Sequence, residues 1–279
     1  MQLQIAVTYS EDFLGRLARW WGMTWTHIGL RYRREAPGSG WRVIEATMTG
    51  IKDSSWQEFL AGTEYVVDTV NRDGCRKTTA IWQYSRPPTG ETGEFVSYDA
   101  MTLLPYAGER QEALQSYAYK VLAALAIDFG PAHCELMWVD GEPVLVEAAA
   151  RLSGGIGALL SGICGGICQV DETVRILLEP EQFLATLDEK PRLQRRAVNL
   201  FLVPHRRGRL IRIRGLDALR RLPTLHSASV GAQPGDILKR VAGVVTLVDE
   251  DIQSIERDMD VIRALERDGM FEVESEGPG

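Results

Sequence analysis

Hydrophobic and polar positions repeat with two different periods along this chain, and the changes of period mark its elements. Residues 4–8 alternate as a strand does. Ser10 is placed to cap a helix whose apolar residues Phe13, Leu14, Leu17, Trp20 and Trp21 fall on one face. Residues 26–32 and 41–47 read as strands, with a turn at Ala36-Pro-Gly-Ser-Gly40 between them. Trp20, Trp21 and Trp25 lie close together and read as core or as a partner interface. From about residue 56 the texture changes. Residues 64–70 and 78–84 form a hairpin about the turn signal Asn71-Arg-Asp-Gly74. Leu114, Tyr117, Ala118, Val121, Leu122 and Leu125 make one stripe of a helix predicted over 110–128, ended by Gly130-Pro131. A second hairpin pairs residues 134–139 with 143–147, and a small-residue helical stretch runs on to about Leu178. Beyond Arg195 the pattern predicts strands at 197–203 and 210–213 and a short helix at 216–221. A further strand, a turn at Pro234-Gly-Asp236, a strand at 241–247 and a closing helix over 252–267 follow. Antiparallel strands backed by long helices make the fold class α+β.

The second hairpin carries the most informative residues. A two-residue Asp140-Gly141 turn puts Glu135 and Glu147 on opposite faces. A three-residue loop, Asp140-Gly141-Glu142 with a glycine bulge, sets Glu135 directly opposite Glu147 and makes Pro143 the first residue of its strand. Like charges so placed repel. A divalent cation held by hard carboxylate oxygens offsets that repulsion. Arg151 follows Glu147 by four residues and is placed to meet a phosphate or carboxylate beside the same ion. The same residues also read as two solvent-facing glutamates beside a surface arginine.

Composition narrows the classes. Of 279 residues, 45% are hydrophobic and 25% charged, which excludes a disordered chain or a coiled coil. Lys and Arg total 31 against 38 Asp and Glu, a net charge of -7, which disfavours general nucleic-acid binding. No uncharged apolar run approaches the roughly 18 residues of a membrane span, and no secretory signal opens the sequence, so a cytoplasmic protein without membrane contact is expected. Four cysteines do not make a disulfide scaffold. Cys164 and Cys168, in Gly-Ile-Cys-Gly-Gly-Ile-Cys, read as small thiols in a closely packed segment, with a metal or redox pair as the alternative. Seven arginines between residues 206 and 221, without an aromatic neighbour, read as a solvated face, then as a docking face for an acidic partner or a missing lobe.

Glu135, Glu147 and the run Glu147-Ala-Ala-Ala-Arg151-Leu-Ser-Gly-Gly155 resemble the metal-binding end of the ATP-grasp carboxylate–amine ligases. In that family two acidic side chains hold Mg2+ on the ATP phosphates, and an asparagine usually follows the second by two residues. Here Ala149 stands at that position, as a small residue often does in the amino-acid ligase branch, where Gly-Gly follows the arginine. Gln57-Glu-Phe-Leu-Ala-Gly-Thr-Glu64 resembles the family's interlobe hinge. Residues 65–68, 82–86, His133 and the C-terminal strand pair also resemble the amino-acid ligase branch. The resemblance covers about residues 56–273. It implies that the backbone of Glu58, Phe59 and Leu60 meets the adenine edge, that Gln57 approaches its amino group, and that Glu64 bonds the ribose hydroxyls. It implies ATP and Mg2+ as cofactors, metal ligation by Glu135 and Glu147, and a catalytic Arg151 that stabilises the transferred phosphoryl group and an acyl phosphate. Small-molecule carboxylates and amines are the implied substrates.

An ATP-grasp clamp also needs a Gly-rich phosphate loop and neutralising lysines ahead of the hinge. About 55 residues precede it here, with Lys52 as their one lysine. The expectation is that this lobe is missing, that a second chain supplies it, or that turnover by the isolated chain is weak. Residues 25–30 and 43–50 resemble the opening of permuted papain-like cysteine hydrolases, in which His27 is the base. Cys134 is then the nucleophile to consider. The expected division is a short α/β segment over 1–55, an ATP-grasp nucleotide- and metal-binding lobe over 56–195 and a ligase subdomain over 196–279. Three functional readings follow: an ATP-grasp ligase-like protein, a catalytically incomplete nucleotide-binding or docking remnant of a fusion, and a cysteine hydrolase.

Overall fold

The computed structural model describes residues 60–85, 99–206, 208–238 and 241–274 with their side chains, and 2–8, 27–34 and 41–49 as strand backbone. The expected helix over 10–21, Trp25, the turn at 36–40, Lys52, Gln57, Glu58, Phe59 and the loop at 87–93 lie outside the described residues. In chain order the strands are β1 (Gln2–Thr8), β2 (His27–Arg34), β3 (Trp41–Thr49), β4 (Thr63–Arg72), β5 (Cys75–Ser85), β6 (Ala100–Leu104), β7 (Gly130–Val139) and β8 (Glu142–Ala149). They continue as β9 (Arg196–Leu202), β10 (Leu210–Ile213), β11 (Leu225–Val230), β12 (Gly243–Asp249) and β13 (Phe271–Val273). The helices are α1 (Glu109–Ala124), α2 (Gly157–Ile163), α3 (Gln169–Leu178), α4 (Pro180–Ala185), α5 (Leu216–Arg220) and α6 (Ile252–Arg267). The chain divides into two compact units, Met1–Ile81 with Pro105–Arg192, and Trp82–Leu104 with Leu193–Gly279.

In the first unit, β1, β2 and β3 form an antiparallel meander in which His27 faces Thr8 on one side and Thr49 on the other. A separate sheet runs β5-β4-β7-β8. Eight of the ten residues of β4 are buried, so both faces of this strand are covered. Its odd-numbered residues Tyr65, Val67 and Thr69 face one way, and Glu64, Val66 and Asp68 the other. Both hairpins of the sheet turn on Asp-Gly. Asp73 and Gly74 have φ of 49° and 79°, and Asp140 and Gly141 have 50° and 86°. These doubly positive values define the primed turn whose twist matches that of the strands.

Helix α1 lies against the Tyr65 face: Arg110 donates to the Tyr65 hydroxyl at 2.9 Å and sits over the Trp138 ring at 5.1 Å. The helix ends four residues before the expected Asp128. Ala126 takes a left-handed φ of 54°, Ala126 N–H bonds the Ala123 carbonyl at 3.1 Å and Ile127 N–H the Leu122 carbonyl at 2.9 Å. This double closure satisfies the orphan carbonyls of the last turn with an alanine where glycine is usual. Gly130 and Pro131 open β7 instead of ending the helix. The small-residue stretch is three helices, α2 to α4. A Cβ on Gly162 would lie 2.8 Å from Cys168 Cβ, and Cys164 is fully buried, so these thiols do fill a closely packed segment.

In the second unit the sheet runs β11-β12-β9-β6-β5. Helix α6 covers it with Ile255 and Ile262, which are fully buried with Leu200, Val245 and Leu247. Its cap is Asp251, whose carboxylate accepts from Gln253 N–H at 3.0 Å. The pattern gave no sign of β13, which pairs with β10. Arg212 and Arg214, from the arginine-rich stretch, are exposed and pair with Glu272 of β13.

Candidate functional site

The β7–β8 hairpin places the two glutamates. Val139 faces Glu142 and Trp138 faces Pro143, so the turn holds two residues and not three. Pro143 is the second residue of β8, at the edge of the sheet, where a missing N–H is tolerated. Regular pairing continues to Leu136 and Leu145 and then shifts, with Val146 as the extra residue. Beyond that bulge Glu135 faces Glu147 and Cys134 faces Ala148. The expected opposition of the carboxylates is therefore present, produced by a bulge inside the strand and not by one at the turn. The primed Asp-Gly turn satisfies the hairpin end by itself, so the odd residue is absorbed where β8 bends.

Register then assembles one face of the sheet. Across β4, β7 and β8, Asp68 faces His133 and His133 faces Ala149; Val66 faces Glu135 and Glu135 faces Glu147; Glu64 faces Met137. Glu64, Asp68, His133, Glu135 and Glu147 thus share a face. Glu64 and Asp68 are buried, and the Glu135 and Glu147 side chains are half-buried. The Asp68 carboxylate meets His133 Nδ1 at 2.6 Å, and His133 Nε2 meets Glu135 Oε1 at 3.3 Å. Burial alone lowers the affinity of this imidazole for a proton. The Asp68 charge and hydrogen bond, with the Glu135 hydrogen bond, overcome that and raise its pKa to about 9, against an opposing Arg151 charge. At neutral pH both ring nitrogens therefore donate.

Arg151 sits just past β8. Its backbone N–H closes a turn onto the Ala149 carbonyl at 3.0 Å, and its guanidinium donates to the Leu152 carbonyl at 2.9 Å. Ser153 N–H bonds the buried Gln169 side chain at 2.8 Å, which anchors the loop ahead of Gly154 and Gly155. Leu60, the first described residue of the hinge-like segment, is half-buried. Two residues on, a Cβ at Gly62 would stand 2.2 Å from the Trp138 carbonyl oxygen. Only glycine lets this backbone pass so close to β7. Gln57, Glu58 and Phe59 fall outside the described residues.

Among the described residues no group of three or more His, Cys, Asp or Glu side chains converges as a metal cage. Two opposed carboxylates on an accessible face suit Mg2+, which takes one or two carboxylates and completes its shell with waters and phosphate oxygens. The residues present fit that ion.

Cys134 lies on the opposite face, beside Val67, and is fully buried. Burial, with the Asp68 and Glu135 charges, pushes its thiol far above the ordinary range. A thiol so placed is no nucleophile, and nothing favours the hydrolase reading. Iodoacetamide at about pH 8 is expected to label the half-buried Cys75 in native protein and to reach Cys134 only after denaturation. Peptide mapping checks this, and modification of Cys134 in folded protein would revive a thiol mechanism.

Two buried groups escaped sequence reasoning. Asp68 and His133 carried a family resemblance but no assigned role. Lys77, on β5, is buried with Glu172 of α3. An ionisable residue in a strand rich in buried positions is the signal each one left.

No protein-family model matches the chain. It is 26% identical over 220 residues to dapdiamide A synthase of Enterobacter agglomerans, covering 76% of this chain and 51% of that protein. The crystal structure of an L-amino acid ligase from Bacillus licheniformis matches with a TM-score of 0.62 at 20% identity, over 79% of this chain and 56% of that one. Phosphoribosylglycinamide synthetase from Anaerococcus prevotii matches with a TM-score of 0.54 at 13% identity, over 79% of this chain and 55% of that one. The fold is that of the ATP-grasp ligases, an α+β architecture with a large antiparallel sheet. The chain is similar to these ligases, and it spans about half the length of the curated relative that it matches. No described helix is long and apolar enough to cross a membrane.

Proposed function

We propose that this chain carries the Mg2+–nucleotide-binding part of an ATP-dependent carboxylate–amine ligase. The observation behind this reading is the direct opposition of Glu135 and Glu147 on the face that also holds Glu64. Glu135 and Glu147 would hold the ion. Glu64 would accept the ribose hydroxyls, the Glu58–Leu60 backbone would meet the adenine edge, and Gln57 would approach its amino group. Arg151, fixed by the turn onto Ala149, would place its positive charge where phosphoryl oxygens gather. When bound, Mg2+-ATP supplies the phosphoryl group that activates a carboxylate as an acyl phosphate for attack by an amine. In this reading a small-molecule carboxylate and amine are the substrates, and a lysine-bearing lobe from a further segment or a second chain completes the clamp. Four free thiols and an ATP-dependent reaction fit a cytoplasmic setting.

Calorimetric titration of the purified chain with ATP, with and without Mg2+, tests the reading. Binding that requires Mg2+ is the expected result. A folded chain that binds no nucleotide under either condition overturns it.

A further inference from the structure

The row Asp68–His133–Glu135 crosses from the interior to the accessible part of the site. Asp68 is 1% exposed and His133 5%, while the Glu135 side chain is 19% exposed. Asp68 and His133 are direct partners between β4 and β7, so backbone pairing fixes their separation. On the other side His133 faces Ala149 of β8, which brings no side-chain donor or acceptor of its own. Each ring nitrogen meets a carboxylate oxygen, at 2.6 Å and 3.3 Å. A nitrogen lone pair aimed at a carboxylate would repel it, so each nitrogen carries its hydrogen toward the carboxylate it meets.

Resting on the ligase reading above, we infer that His133 is a positioning residue for the metal carboxylate: Asp68 clamps the imidazole, and the imidazole Nε2–H orients Glu135 for Mg2+. A glutamate has three rotatable side-chain bonds and loses much freedom when fixed. The hydrogen bond to Oε1 removes part of that freedom before the ion arrives and leaves Oε2 open to it. It also lessens the repulsion between Glu135 and the facing Glu147 while no cation is present. Asp68 supports the arrangement because burial and the short Nδ1 contact hold the ring in one orientation. Support of this kind around a metal carboxylate changes affinity by about 10–100-fold when removed.

Two substitutions separate positioning from plain structural support. His133→Asn keeps a donor near the Nδ1 position for Asp68 and withdraws the one that reaches Glu135. His133→Gln restores a donor near the Nε2 position. Titrating the full chain with ADP at fixed Mg2+, and again in EDTA, His133→Asn is expected to weaken the Mg2+-dependent binding by about 10–100-fold. Metal-free ADP binding should be unchanged, and His133→Gln should recover most of the loss. Unchanged Mg2+-dependent affinity in His133→Asn overturns the inference. So does an equal loss in both variants that extends to metal-free ADP, which marks a structural role. Wild-type protein that binds no Mg2+–ADP defeats the ligase reading itself and this inference with it, a result seen before any variant is made. Should the variants fail to fold, nitrogen NMR of the wild-type protein decides, since it holds four histidines. The His133 Nε2 resonance should move on adding Mg2+ and ADP while Nδ1 stays, and an unmoved Nε2 overturns the inference.

Discussion

Lys77→Met is expected to destabilise the protein by about 3–5 kcal/mol, the cost of leaving a buried partner charge uncompensated. Lys77 is 1% exposed on β5, and its ammonium donates to Thr186 Oγ1 at 2.9 Å. It lies 3.4 Å from Glu172 Oε2 and 3.7 Å from Glu189 Oε2. Glu189 is 60% exposed and keeps its hydration when the lysine goes. The Glu172 side chain is 5% exposed, and its Oε2 accepts no hydrogen bond from the protein, so it bears the loss. Arg175 still pairs with Glu172 Oε1, and a cavity of about 690 Å³ lined by Glu172, Arg175 and Glu189 offers water. Both features set the expectation at the lower end of the range. The double variant Lys77→Met/Glu172→Leu removes both charges and should regain most of the stability, because Arg175 can turn to Glu179, 3.7 Å from its Nε. Urea denaturation of the wild type, both singles and the double checks this. A double variant no more stable than Lys77→Met would mean that Lys77 contributes through packing and not through charge.

The second large effect is on binding. Glu135→Ala/Glu147→Ala is expected to lower Mg2+-dependent ATP affinity at least about 100-fold, or roughly 2.7 kcal/mol. Glu147→Gln keeps the shape of the side chain and removes one of the two carboxylates that face each other across the hairpin. On adding Mg2+ and ATP the wild type should gain a larger rise in melting temperature than Glu147→Gln, because binding stabilises only the protein that binds. Identical melting shifts in wild type and Glu147→Gln on adding Mg2+–ATP would show that the opposed pair is an ordinary feature of the hairpin.

Both effects depend on features that the amino-acid pattern shows unequally. The two Asp-Gly turns are legible because their φ values demand those residues. Helix α6 is legible because its apolar period and its cap, Asp251, are both local in the chain. The end of α1 was not legible. Ala126 takes a left-handed conformation that alanine disfavours, and the closure onto Leu122 and Ala123 stabilises it there. Strand β13 is three residues long and exists through its pairing with β10, far away in sequence.

The carboxylate pair lies between these cases. Residue types and spacing identified Glu135, Glu147 and Arg151 as a group, and the pair does face across the hairpin. The bulge that brings this about sits at Val146, where no glycine or proline announces it. A bulge is set by how a strand must bend over its neighbours, and that bend belongs to the sheet.

The order of amino acids alone specifies what short-range chemistry controls: the turns, the helical stripes, the caps and the strand alternation that gives each residue its side. Tertiary structure decided what depends on strands and helices distant along the chain. It placed Asp68 beside His133 and His133 beside Glu135, aimed Cys134 at the covered face, and buried Lys77 with Glu172. Alternation tells which residues share a face of one strand. Which face is covered, and which residue of another strand lies opposite, follows from packing and register across the whole sheet.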